Sequence, residues 1–302
     1  MPASLMMALA TLLFATMGVC VKLASAEYGA GEIVMYRGLV GVAMVGSLVL
    51  ARGLSLRTAV PAMHFWRSLS GVIALSLWFY AIGKLPLPTA MTLNYMSSVW
   101  MALFLIGGAV LMGGRAADGR LIATVLVGFL GVALVLRPSM QQDQAWHGLV
   151  GLLSGMLSAL AYLQVTALGR AGEPEYRIVF YFSCGGAVAG ALVNGVQQWG
   201  QPQAWHAHSA RGLALLLAVG LLATAAQLLM TAAYRKGRTL VNASLQYLGI
   251  VFSCLYGVWV FDERLNPAAI LGMLLIVGAG LAATLLRHRS LPPDSSHPAT
   301  ES

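Results

Sequence analysis

The chain has 302 residues, of which 59 % are hydrophobic and 9 % charged, and its formal net charge is +8. Soluble chains carry about 25 % charged residues, so 18 basic and 10 acidic side chains are too few to cover a soluble surface. The composition also excludes a disordered chain and, with three scattered cysteines, a disulfide scaffold. The basic residues lack interleaved stacking aromatics, which argues against nucleic-acid binding. These figures indicate a protein that lies in the lipid bilayer.

Ten apolar stretches are each long enough to cross a bilayer, which takes about 20 residues. The first is not expected to be a signal peptide, because its start carries no basic residue and its apolar run is too long. The tail 287–302 is rich in Pro and Ser and is predicted to be disordered. We predict transmembrane helices at 4–24, 32–51, 67–84, 89–112, 119–137, 148–169, 178–199, 212–234, 239–261 and 267–286.

Glycines in two of the predicted helices have the spacing that lets helix backbones approach closely. Gly151 and Gly155 lie four residues apart in the sixth predicted helix, and Gly186 and Gly190 do so in the seventh. Such pairs of small residues are typical of close helix contacts in membranes. We therefore predict tight packing at both pairs.

The distribution of Lys and Arg predicts the orientation in the membrane. With the N-terminus inside, 12 of the 18 basic residues, Arg67 among them, fall on the cytoplasmic side and 6 on the other. Cytoplasmic loops carry the excess of Lys and Arg. We therefore expect a multi-pass protein of the inner membrane with both termini in the cytoplasm.

The two halves of the chain resemble each other. The segment AIGKLPLPTAMTLNYMSSVW (81–100) aligns with AYRKGRTLVNASLQYLGIVF (233–252) at a constant offset of 152, which pairs Tyr95 with Tyr247. Earlier in each half, IVMYRGLVG (33–41) matches IVFYFSCGG (178–186). Two matches in the same order indicate an internal duplication.

An odd number of helices in each repeat has a geometric consequence. Five spans leave the second unit entering from the opposite side of the membrane, so the repeats are inverted. The predicted fold is an all-α polytopic membrane protein of ten transmembrane helices arranged as two inverted five-helix repeats, 1–137 and 148–286, joined by the loop 138–147. This is the architecture of alternating-access carriers, in which the substrate site lies near the midplane between the halves.

Two segments carry a resemblance to a known family. VFDERLNPAAILGMLLIVGAGLA (260–282) and WFYAIGKLPLPTAMTLNYMSSVW (78–100) resemble helix junctions of the drug/metabolite transporter (DMT) superfamily, EamA-type branch. The resemblance covers 4–286 and implies a 5+5 helix layout that carries small metabolites, as in the aromatic and neutral amino-acid exporters. The chain departs from the family pattern at 113–115, where GGR replaces a frequent Glu, and at 97–98, where SS replaces a common Pro.

Ionisable groups suited to proton coupling or catalysis are missing from the predicted helix cores. All Asp, Glu and His residues fall in loops, at helix ends or in the tail, although a buried one would normally mark a proton or ion route. We therefore predict transport without a buried carboxylate proton site, and neither a metal nor another cofactor. An intramembrane enzyme would need a His base at helix depth or an H-E-x-x-H zinc motif, and this sequence offers neither. A structural membrane protein without a cavity is the remaining alternative.

Uncharged polar and aromatic residues inside the predicted helices are the substrate-binding candidates. Such groups in hydrocarbon need a partner, either a neighbouring helix or a solute, and both interpretations stay open. A site of this kind suits amino acids or related amphipathic solutes, and we expect export. Asn94 and Gln246 are repeat partners and are expected to meet, as are Tyr95 and Tyr247. The candidates are Trp78, Tyr80, Asn94, Tyr95, Ser98, Trp100, Tyr162, Gln164, Gln246 and Tyr247.

Four basic residues within or beside the predicted helices are charged candidates: Lys22, Arg37, Lys84 and Lys236. They favour an alternative function, an organic-anion or phosphorylated-metabolite exchanger in which embedded Lys residues hold the anion. Long basic side chains at helix ends also snorkel to the interface without a ligand. In either case we expect a small-molecule substrate and the lipid bilayer as partners, and a monomer.

Overall fold

The computed structural model describes residues 1–111, 144–200, 206, 208–237, 242, 245–264 and 266–289, with scattered positions between 123 and 134. Every regular element in these residues is an α-helix. In chain order the helices are α1 (Ala3–Ala24), α2 (Ala30–Ala51), α3 (Pro61–Lys84), α4 (Leu87–Tyr95), α5 (Ser97–Leu111), α6 (Ala145–Arg170), α7 (Glu175–Gly200), α8 (Ala210–Lys236), α9 (Leu248–Phe261) and α10 (Pro267–Arg289).

In the part of the chain that the structure describes, six helices are long and apolar enough to cross a membrane: α1, α2, α3, α6, α7 and α8. Large apolar side chains stay exposed on the outside of the bundle, such as Leu50 with 84 % and Trp259 with 77 % of the residue exposed. An apolar outer surface of this kind is stable in lipid and not in water. The chain is an all-helical polytopic membrane protein, as predicted.

The start of the third span differs from the prediction. Helix α3 begins at Pro61 rather than at residue 67, because Pro is favoured in the first turn of a helix, where its missing N–H has no partner to lose. Arg67 therefore lies inside α3 and is only 2 % exposed. Arg67 was predicted to start this helix on the cytoplasmic side, but it is a buried helix residue, so the orientation argument from loop charges loses it.

The predicted span 89–112 is two helices. Helices α4 and α5 are separated by a turn at Met96, where the Val99 N–H bonds to the carbonyl three residues back. The span predicted at 239–261 has a similar turn at Gln246 and Tyr247 before α9, with the same kind of bond from the Gly249 N–H. Short stretches of i→i+3 bonding within a helix mark points of strain or movement.

Some predicted segments fall wholly or partly outside the described residues. The span 119–137 is described only at scattered positions, which are helical, and most of the loop 138–147 is not described. Helix α6 already begins at Ala145, within that predicted loop. At the other end of the chain, α10 runs to Arg289, so residues 287–289 are helical rather than part of the tail. Residues 290–302 lie outside the described part.

Three helix pairs form the centre of the bundle: α2 packs along α7, α1 along α8 and α3 along α6. Backbone meets backbone at the α2–α7 crossing, where a Cβ on Gly190 would lie 2.5 Å from the Met35 nitrogen and 2.6 Å from the Gly31 oxygen. Gly155 of α6 similarly lets the carbonyl end of α4 come close. The predicted tight packing is thus confirmed at Gly155 and Gly190, whereas Gly186 has no contact that close.

Candidate substrate pocket

A central pocket lies among α1, α2, α3, α4, α6, α7 and α8, with a cavity volume of about 40 Å³. Its lining is mostly apolar with a few polar groups, which is typical of small-molecule sites. The aromatic part of the lining consists of Phe14, Trp78, Tyr95, Tyr162 and Phe182. The polar part consists of Thr11, Arg37, Arg67, Asn94, Ser158, Gln227 and Gln246.

The end of α4 is held at the pocket by α6. The Asn94 amide nitrogen lies 3.1 Å from both Ser154 Oγ and Ser158 Oγ, and Gly155 between these serines leaves room for the Asn94 carbonyl. The turn at Met96 then redirects the chain. Asn94 and Tyr95 therefore reach the lining from the end of a helix rather than from its middle.

Two arginines enter the pocket from different helices. Arg37 of α2 is 3 % exposed and Arg67 of α3 is 2 % exposed. Both guanidinium groups lie over the ring of Phe182, with Cζ at 4.9 Å and 4.1 Å from its centre respectively. Among the described residues, no carboxylate forms an ion pair with either of them. The pocket is therefore strongly positive.

Six of the predicted site residues come together in the lining: Trp78, Asn94, Tyr95, Tyr162, Gln246 and Arg37. Asn94 and Gln246 line the same pocket although they are 152 positions apart. These repeat partners therefore face the same pocket.

The other uncharged candidates lie outside the described lining. Tyr80 is hydrogen-bonded to His147 at 3.1 Å, and Gln164 accepts a hydrogen bond from Ser70 at 2.8 Å. Ser98 and Tyr247 are buried next to each other, and Trp100 stacks on the neighbouring Phe104. The structure thus gives several of these side chains an interhelical partner, which is the alternative that the sequence left open.

The three lysine candidates also lie away from the pocket. Lys84 and Lys236 are exposed at the ends of α3 and α8. Lys22, at the end of α1, forms an ion pair with Glu263 Oε1 at 2.5 Å and donates to the Leu85 carbonyl at 2.8 Å. The backbone N–H of Leu87, at the start of α4, also bonds to the Glu263 carboxylate at 3.1 Å. This group, the Glu263 cluster, ties α1, α4 and the α9–α10 junction together.

Sequence reasoning missed several lining residues, of which Arg67 is the most important. The signal for Arg67 was present, since Pro61 and the apolar residues after it extend α3 by six residues. Ser158 and Gln227 were overlooked as isolated polar residues in apolar helices. The aromatic rings of Phe14 and Phe182 had no signal, because a pocket-facing Phe looks the same in sequence as a core or lipid-facing one.

A second cluster lies at the other end of the bundle, around the buried carboxylate of Glu173 between α6 and α7. This Glu173 cluster consists of three donors to the carboxylate: Thr58 Oγ1 at 2.8 Å, His64 Nε2 at 3.1 Å and Arg177 Nη1 at 3.0 Å. Burial opposes ionisation, but these hydrogen bonds hold the pKa of the Glu173 carboxyl below its ordinary value of 4.5. The carboxylate is therefore charged at neutral pH and joins α3 to the α6–α7 loop.

Glu173→Gln is expected to lower the thermal midpoint Tm at pH 7, because hydrogen bonds to a charged group are each worth about 1.5–3 kcal/mol. A carboxyl whose pKa is lower in the folded than in the unfolded state stabilises the fold above pH 4.5. This stabilisation is lost as the pH falls through the folded-state pKa. The Tm difference between wild type and variant should therefore shrink below pH 4.5. The Glu175→Gln variant, which breaks a partly exposed pair with Arg235, should change Tm little. A difference that stays constant from pH 7 to pH 4 would contradict this assignment.

Comparisons with known proteins identify the family. The pattern of the EamA-like transporter family matches residues 145–285. The chain is also 31 % identical over 283 residues to the pseudopaline exporter CntI of Pseudomonas aeruginosa, covering 92 % of this chain and 94 % of that protein. The chain belongs to the EamA-like transporter family.

Two further similarities fit this EamA-type member of the DMT superfamily. It is 26 % identical to a riboflavin transporter of Rhizobium johnstonii, over 80 % of this chain and 77 % of that one. A solved crystal structure has the same fold, with a TM-score of 0.67 at 20 % identity and coverage of 95 % of this chain and 98 % of the other. The two named relatives are transporters of small molecules, which points to a membrane transporter of metabolites rather than to an enzyme.

Proposed function

We propose that the chain exports a small organic metabolite that carries a carboxylate, such as an amino acid or a related amphipathic solute, by alternating access. The observation that carries the proposal is the central pocket, in which aromatic rings, amides and two buried guanidinium groups converge. Aromatic walls bind the apolar body of such a solute. A guanidinium recognises its carboxylate through charge-assisted hydrogen bonds.

The moving parts are two inverted five-helix repeats, 1–137 and 148–286, in the inner membrane with both termini in the cytoplasm. Helix packing supports the symmetry. The inverted repeat relates α1 to α6, α2 to α7 and α3 to α8. This exchange converts the α1–α8 pair into the α6–α3 pair and leaves the α2–α7 pair unchanged. All three pairs pack closely. The turn at Gln246–Tyr247 lies within two residues of the position that aligns with the turn at Met96.

Alternating access needs a seal on each side of the site, and two ion clusters lie in suitable places. The Glu263 cluster ties helices together at one end of the bundle, and the Glu173 cluster does so at the other. In the proposed cycle each cluster opens in turn while the other stays closed. Both consist of specific side-chain bonds, which can break and re-form without unfolding a helix.

Two observations support the proposed direction of transport and its mode of coupling. The similarity to a protein named as an exporter supports export. The described lining contains neither a carboxylate nor an imidazole, which supports uniport or exchange down a substrate gradient. The alternative of an anion exchanger with lysine ligands has less support, because Lys22 is paired with Glu263 and the other two lysines are exposed.

Two tyrosines provide a matched test in proteoliposomes loaded with a mixture of amino acids and organic acids, with efflux followed by mass spectrometry. Tyr95→Phe removes a buried hydroxyl that lines the pocket and has no protein partner, and should slow efflux about 2- to 10-fold, the effect of one hydrogen bond. Tyr80→Phe, whose hydroxyl bonds to His147 outside the pocket, should leave efflux unchanged. Equal effects of the two variants, or no efflux of any solute by the wild type, would refute the proposal.

A further inference from the structure

Hydrogen-bond donors without partners are in excess around the central pocket. Five buried donor nitrogens on its lining have no acceptor among the described residues: Arg37 Nε, Arg67 Nε and Nη1, Trp78 Nε1 and Gln227 Nε2. Against these five donors, the unpartnered buried atoms of the described lining include one that acts only as an acceptor, Gln246 Oε1. Buried donors that lack acceptors are costly. A ligand rich in acceptor oxygens would satisfy them.

The charges of the two arginines lead to the same conclusion. Both guanidinium groups contact the ring of Phe182, at 4.9 Å and 4.1 Å from its centre, so their Cζ atoms are at most about 9 Å apart, the sum of these distances. The contact with the ring is attractive but does not neutralise either charge. Two buried positive charges without counter-ions are unfavourable. A ligand with two negative charges would compensate both.

We propose that the pocket binds a substrate with two separate acidic groups, one on each of the Arg37 and Arg67 guanidinium groups. This inference rests on the proposed transport function and specifies its substrate class as organic diacids. The two arginines come from different helices, α2 and α3, and their Cζ atoms are at most about 9 Å apart, the distance set by their contacts with one ring, which two acidic groups on one short carbon chain can span. The aromatic rings of Phe14 and Trp78 are available for the carbon body between them.

Simple probes separate this proposal from binding of a single acid. The purified full chain is titrated with the α,ω-dicarboxylates from malonate to pimelate and with the half-amide of each, which has the same length and one charge less. Binding is followed by the shift in Tm and by the fluorescence of the tryptophans at constant ionic strength. At the best chain length the dicarboxylate should bind about 10- to 100-fold more tightly than its half-amide, the effect of one charged hydrogen-bonded pair.

The variants Arg37→Gln and Arg67→Gln should each reduce dicarboxylate affinity to the level of the half-amide. Each should also raise the Tm of the ligand-free protein, because an uncompensated buried charge is removed. A purely structural arginine would lower that Tm instead. Arg57→Gln, which alters an exposed arginine in the α2–α3 loop, serves as the control and should change neither quantity.

Several outcomes would overturn the proposal: equal affinity for dicarboxylate and half-amide, full dicarboxylate affinity in both single variants, or tighter binding of methyl phosphate than of any dicarboxylate. The efflux assay separates this failure from that of the proposed function. If the wild type exports amino acids but does not bind dicarboxylates, the diacid inference fails and the transport function stands. If dicarboxylates bind through both arginines but no solute is exported, the pocket chemistry stands and the export proposal fails.

Discussion

Glu263→Gln is expected to destabilise the folded protein by about 1.5–3 kcal/mol, because the carboxylate makes charged hydrogen bonds to both Lys22 and the Leu87 N–H. The glutamine keeps the size of the side chain, and its amide oxygen can still accept from Leu87. What it removes is the charge that compensates Lys22. The variant should therefore lower the Tm of the purified chain without abolishing folding, which intrinsic fluorescence on heating will measure.

The neighbouring carboxylate gives a matched control. Asp262 has a left-handed backbone (φ 49°) and ends α9. Asp262→Asn should change Tm little, since Asn adopts this conformation as readily as Asp. A double-mutant cycle with Lys22→Gln tests the pairing. In the Lys22→Gln background, Glu263→Gln should lower the free energy of unfolding by less than it does in the wild type. Additive effects of the two substitutions would show that the pair does not stabilise the fold.

Gly190→Val is expected to destabilise the protein more than Glu263→Gln does, because the new side chain has no space at the α2–α7 crossing. Its Cβ alone would lie 2.5 Å from the Met35 nitrogen, a backbone atom that cannot rotate away. Overpacking of a close contact costs about 1–3 kcal/mol, and more where the backbone must move. Because α2 contributes Arg37 and α7 contributes Phe182, separation of the two helices should also impair substrate binding.

Gly195→Val in the same helix is the matched control. A Cβ at Gly195 would meet nothing within 4 Å, and the residue is exposed. This variant should give the yield, monodispersity and Tm of the wild type, since Val replaces Gly on an outer face of the helix. If the two variants behave alike in size-exclusion chromatography and thermal unfolding, the crossing is not the close contact described above.

Much of the candidate site could be predicted from the sequence because polar residues are conspicuous in apolar helices. The repeat alignment pairs Asn94 with Gln246, and both residues line the pocket. The sequence could not decide which side of a helix faces inward. Tyr80 lies two residues from Trp78, which rotates it about 200° around the helix, so one lines the pocket and the other bonds to His147. The same rotation separates Gln164 from Tyr162.

The sequence by itself determined that the chain is a helical membrane protein of this transporter family, because the bilayer imposes the length and apolar character of each span. Tertiary structure alone decided which charges are compensated. Lys22 meets Glu263 and Glu173 meets His64 from distant parts of the chain, whereas Arg37 and Arg67 meet at Phe182 without a carboxylate. The free energy of a buried charge depends on its neighbours in space, which linear order does not specify.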